Sequence, residues 1–169
     1  MKGWIGPLLL GAATALGSHF AVLALAPSVI MDQALSGLAK RNIALHAFTN
    51  PERITPETQV VVRSSPDLFY ALCRYDLSAE GSSLAITMGE WPGYQSLSFF
   101  DAETNNFFTQ RGVGASVEVS LIAGGKGLGS VTSPTNRGVV LIRRLAPTQE
   151  LFDQALQVAQ SDACEYIAR

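Results

Sequence analysis

Histidine is almost missing from this 169-residue chain: His19 and His46 are the only two. A nucleophilic triad needs an imidazole between its hydroxyl or thiol and its carboxylate. His19 falls within a long apolar run and His46 follows on a predicted stalk, where it reads as a surface residue. Neither lies in the strand-rich part, so no catalytic residue is assigned. Cysteine is equally scarce. Cys73 and Cys164 do not form a Cys-x-x-Cys redox pair. Charged residues make up 15% of the chain and the net charge is −2. Without a basic excess or a basic cluster, nucleic acid is not an expected partner.

The most informative absence is local. Residues 3–31 contain no charged side chain. As a helix this stretch reaches about 43 Å, against a hydrocarbon core of about 30 Å. A secretory signal competes with a retained anchor. Lys2, Leu8 to Leu10 and Ala24-Leu25-Ala26 supply a basic start, an apolar centre and a small-x-small site. However, Pro27 follows directly and disfavours cleavage, and the run exceeds the usual signal core of about 7–15 residues. The reading is a transmembrane anchor over residues 1–31 in membrane lipid, then a helical stalk and linker over 32–57. A β-domain with a C-terminal helix fills 58–169. The two cysteines fit an oxidising compartment, so the folded part is placed in the periplasm of a bacterial inner membrane.

Within the anchor, small residues recur every four positions: Gly11 and Ala15, then Ala13, Gly17 and Ala21. Such spacing lets another helix approach closely. Pro7 and Pro27 are expected to kink or cap the helix. Beyond it, Leu35, Leu38, Ala39, Ile43 and Leu45 extend a helical period to Phe48.

From Thr58 the period becomes two. Phe69, Ala71, Cys73, Tyr75 and Leu77 form one face of a strand, with Tyr70, Arg74 and Asp76 on the other. Leu84, Ile86 and Met88 alternate with Ala85 and Thr87, and Val117, Val119 and Leu121 with Ser116, Glu118 and Ser120, while Val139 to Ile142 is continuously apolar and suits a central strand. Turn-forming clusters separate these runs. The pattern predicts a mainly β fold, an antiparallel sandwich or barrel-like domain of seven or eight strands. A terminal helix with Pro147 in its first turn should pack on the sheet through Leu151, Phe152, Ala155, Leu156 and Ala159. A Cys73–Cys164 disulfide would tie that helix to the sheet.

Other chemistry is weak. Gly124 to Ser130 lacks the Ser or Thr that follows the lysine of a phosphate loop, and reads as a hairpin turn. Asp101, Glu103 and Asn105 lack the glycine and closing glutamate of a calcium loop, and read as a turn bonding its own backbone. No metal site or cofactor is expected.

Five segments together resemble the domain-of-unknown-function family DUF1254. They are Arg63 to Tyr70, Tyr75 to Ser78, Pro92 to Asp101, Thr104 to Phe107 and Ser133 to Arg137. Family members usually carry a Thr-Asn-Arg-Asp-like sequence where this chain has Ser64-Ser65-Pro66-Asp67, so no role of that Asn and Arg transfers. Larger members continue into a second, jelly-roll-like domain, DUF1214, which is missing here. The resemblance implies a compact β-domain and suggests that a separate protein supplies the second domain. It implies no reaction.

The leading functional expectation is therefore an anchored interaction protein, an accessory subunit of a membrane complex or the partner of a DUF1214-like protein. The alternative is a binding module for an apolar envelope ligand, lined by Trp91, Tyr94, Phe99, Phe100, Phe107 and Phe108. A histidine-independent enzyme built on Asp67, Asp76 or Asp101 with Arg63, Arg74 or Arg111 ranks last.

Overall fold

A computed structural model describes residues 2–55, 64–124 and 129–168. Helix α1, Ile5–Lys40, runs unbroken for 36 residues. Pro7 sits in the first turn, where no amide partner is needed. Pro27 lies inside and does not end the helix, although it forfeits the bond its amide would have made. Most of α1 is exposed, but Met31 is buried and Pro27, Leu35 and Leu38 are half-buried. Their spacing puts them on one face, so the last turns of α1 lie against the folded domain. An exposed Arg137–Asp32 ion pair at 3.4 Å accompanies this contact.

The stalk is shorter than the periodicity predicts. The helix stops at Lys40 rather than continuing to Phe48. Asn42 adopts a left-handed φ of 59°. The Asn42 amide donates to Ala39 O and the Ile43 amide to Leu38 O, the Schellman closure. Ile43 is thereby turned into the interior. The chain then runs beside the first strand, with bridges Leu45–Arg74 and Thr49–Leu72. Thr58 to Arg63, where the strand period was expected to begin, lie outside the described residues.

Eight strands form two four-stranded sheets. They are β1 Leu68–Asp76, β2 Ser83–Met88, β3 Gln95–Asp101, β4 Asn106–Gly112, β5 Val117–Ala123, β6 Ser130–Ser133, β7 Arg137–Leu145 and β8 Ala163–Ile167. The first sheet has the order β1-β7-β3-β4 and the second β6-β5-β2-β8. The alternation read from β1 is realised: Phe69, Ala71, Cys73 and Tyr75 are at most 1% exposed. The apolar run of β7 pairs on both sides, with β1 and with β3. Leu84, Ile86, Met88, Leu97, Phe99, Leu121 and Ile142 complete the core between the sheets.

Three local expectations are corrected. The β5–β6 pair is parallel, so these two strands do not form the hairpin expected of them; residues 125–128 of the glycine-rich segment lie outside the described residues. Pro147 precedes the terminal helix α2, Gln149–Val158, instead of sitting in its first turn. Thr148 is the N-cap, its Oγ1 accepting from the Leu151 amide at 3.2 Å. Finally, the chain does not end as a helix. A short turn at Ala159–Ser161 leads into β8, which pairs with β2. Helix α2 does pack on the sheet as expected, with Phe152 edge-on to Phe69 at 5.2 Å.

Candidate functional site

The two stripes of small residues on α1 are all exposed. An added Cβ at Gly11 or Gly17 would meet nothing. At about 100° per residue, Gly11 and Ala15 lie roughly opposite Ala13, Gly17 and Ala21. The small residues thus form two narrow exposed faces, not one broad face. His19 is exposed between them and meets only the edge of Phe20 among rings, at 5.6 Å.

Cys73 and Cys164 form a disulfide. Its placement differs from the expectation. Cys164 lies on β8, so the bridge joins sheet to sheet and not helix to sheet. Both β1 and β8 are edge strands, and the bridge staples one side of the sandwich.

Next to this staple is a charge cluster that the sequence reading missed. Arg144 is fully buried, and its guanidinium meets Asp162 through two bonds, Nη1 to Oδ2 at 2.7 Å and Nη2 to Oδ1 at 2.6 Å. Its Nε donates to Gln95 Oε1 at 3.2 Å. The Gly89 amide donates to Asp162 Oδ1 at 2.9 Å. Desolvating this pair is costly, and the bidentate geometry, the Gly89 amide donor and the Gln95 acceptor compensate it. The signal was present in the sequence. Arg144 shares strand parity with Val140 and Ile142, so its side chain must point inward.

At the other end of the sandwich, the Tyr75 hydroxyl lies 2.8 Å from Ser133 Oγ and 3.2 Å from Phe100 O. Burial pushes its pKa up to about 12. Gly138 faces Tyr75 across the β1–β7 pair. A Cβ there would strike the Phe100 carbonyl and the Tyr75 ring, so only glycine fits. Asp76 lies on the outward face of β1. The Ser78 hydroxyl beside it, with help from Arg137, holds its carboxyl below the usual range. Asp101 Oδ1 accepts from the amides of Glu103 and Asn105, both at 2.8 Å. That is the self-bonding turn expected from its sequence, with Thr104 at a positive φ of 68°.

The carboxylates considered for catalysis do not converge. Asp67 precedes β1, whereas Asp76 and Asp101 end β1 and β3 at the opposite end of the sandwich. Arg63 lies outside the described residues. Among the described residues no group of three metal-ligating side chains forms. The aromatics do not line a common cleft: Trp91 and Phe99 are core, Phe107 and Phe108 pack against Phe99, and Tyr94 is exposed. His46 is not on a helical stalk. It is half-buried in the segment beside β1, stacked on Tyr166 at 4.5 Å, with Nε2 3.0 Å from the Asp76 amide.

Comparison with solved structures shows the same fold in two longer proteins. The VPA0106 protein from Vibrio parahaemolyticus matches with a TM-score of 0.58 and 13% identity, over 82% of this chain and 34% of that one. An uncharacterized protein from Burkholderia cenocepacia matches with a TM-score of 0.51 and 13% identity, over 76% and 36% respectively. The chain thus spans about a third of the length of each. No curated protein matches it. The profile of DUF1254, a protein family of unknown function, matches residues 45–164, a region that begins beside β1 and closes at the bridging Cys164. The chain belongs to the DUF1254 family.

Proposed function

We propose that this chain is a single-pass inner-membrane protein that displays its β-sandwich in the periplasm for protein–protein interaction. In this reading it is an accessory subunit of a membrane complex, or the partner of a separate DUF1214-like protein, and not a catalyst. The observation that carries the proposal is α1. One helix near the N-terminus is apolar enough to span a bilayer, and at about 54 Å it exceeds the hydrocarbon core. Its small residues are exposed, and among the described residues an added Cβ at Gly11 or Gly17 would meet nothing. The disulfide suits an oxidising compartment.

The test is co-expression of the full chain with a membrane-encoded DUF1214-like protein from the same genome, followed by purification in mild detergent. Co-elution at fixed stoichiometry supports the proposal. A chain that elutes alone, with no crosslink through cysteines placed at Gly11 or Gly17, opposes it.

A further inference from the structure

The outer face of the first sheet carries a row of unmatched donors. Strand parity sets Gln95, Leu97 and Phe99 inward, so Ser96 and Ser98 point outward. In register with Ser96 are Arg143 on β7 and Arg111 on β4, and Arg143 is in turn in register with Tyr70 on β1. Four side chains therefore line up across four strands: Tyr70, Arg143, Ser96 and Arg111. With strands about 4.8 Å apart, the two arginines flank Ser96 at about 10 Å from each other.

Their partners are missing in a consistent sense. Ser96 is 0% exposed, yet its Oγ has no hydrogen-bond partner, and Arg143 Nε is buried without an acceptor. Arg143 Nη2 reaches only the hydroxyl of Ser98, at 3.1 Å. Tyr70 Oη already accepts from the Ser65 amide at 3.0 Å, leaving its own hydrogen to donate. Among the described residues no carboxylate lies within 4.0 Å of Arg143 or Arg111. The other two arginines of this face differ. Arg137 meets Asp32, and Arg74 Nε donates to Ile43 O at 2.8 Å. A chain of net charge −2 thus sets an arginine on each side of a buried hydroxyl, neither with a carboxylate partner among the described residues. The open guanidinium N–H groups, the Tyr70 hydrogen and the Ser96 O–H are donors, with only the Ser96 Oγ lone pairs as open acceptors among them, and buried polar groups are normally satisfied.

We propose that the Tyr70–Arg143–Ser96–Arg111 row is an oxyanion-binding site, accepting the carboxylate or phosphate group of a ligand. Arg111 is exposed and Arg143 half-buried, so their guanidiniums receive the anion from solvent and close it over Ser96. Charge-assisted bonds of this kind are the strong ones. The site is independent of the docking role of the anchor.

The test uses the full chain in zwitterionic detergent, with amide chemical shifts followed during titration with succinate and, separately, with inorganic phosphate. Chloride at matched ionic strength is the control. The expected result is a saturable shift at Ser96, Arg111 and Arg143 with a midpoint in the low millimolar range. Succinate alone assigns a carboxylate source, phosphate alone a phosphate source, and saturation by either supports the site. Arg111→Gln, at an exposed position that should not disturb folding, weakens binding at least tenfold, and Arg143→Gln abolishes saturation. Shifts no different from the chloride control overturn the proposal. So does saturation that survives Arg111→Gln unchanged.

Discussion

Removing the Cys73–Cys164 bridge is the perturbation whose size the structure defines best. The two residues are separated by 91 positions in sequence. Restricting a loop of that length in the unfolded chain is worth about 4.6 kcal/mol on the chain-entropy argument, and native bridges deliver about 2–4 kcal/mol. Here the structural context adds a reason. The bridge joins edge strands β1 and β8, and β8 has five residues and pairs only with β2. Without the staple, β8 is free to peel and expose the Arg144–Asp162 pair. A domain of this size has about 5–15 kcal/mol to lose, so it should remain folded but much weakened. At a urea slope of about 2 kcal/mol/M, the midpoint should fall by about 1–2 M. The assay is urea unfolding of the full chain in mild detergent, monitored by the fluorescence of buried Trp91. Oxidised protein, protein reduced with dithiothreitol and the Cys73→Ala/Cys164→Ala double variant are compared. Coincident curves for all three would refute the argument, as would two free thiols by mass in protein matured in an oxidising compartment.

Three further outcomes are expected. Asp162→Ala strands the buried Arg144 charge and should cost about 3–5 kcal/mol, while Arg144→Met combined with Asp162→Leu should recover most of it; urea midpoints measure both. Gly138→Ala drives a methyl group into the Phe100 carbonyl and the Tyr75 ring and should cost about 3 kcal/mol by the same assay. The Tyr75 phenol is held up to about 12. Between pH 10 and 12 the unfolded chain therefore releases a proton that the folded chain keeps. Its stabilisation is complete below pH 10 and then falls by about 1.4 kcal/mol per pH unit up to pH 12; Tyr75→Phe should flatten that part of the stability–pH curve.

Alternation is a local property, and the strands it governs were legible. In β1, each residue at the parity of Phe69 up to Tyr75 is buried. The apolar run of β7 marked a strand with neighbours on both sides. The Asp101 turn was legible because a carboxylate followed by polar residues can satisfy its own backbone. What escaped was decided at longer range. Ile43 continues the helical period, but Asn42 takes the left-handed conformation and closes the helix first. Strand β8 has five residues and an exposed Glu165 and Ile167, so it carries little signal until β2 pairs with it. The Arg144 cluster needs Asp162, which a later segment brings to it. The candidate oxyanion row was invisible for the same reason, since Tyr70, Ser96, Arg111 and Arg143 meet only through register across four strands.

The central claim is that α1 stays in the membrane and carries the sandwich with it. Intact mass and N-terminal sequence of the protein recovered from carbonate-washed membranes test this most directly. The account predicts a membrane-bound chain that retains residues 3–31. A soluble chain beginning at Pro27 would contradict it.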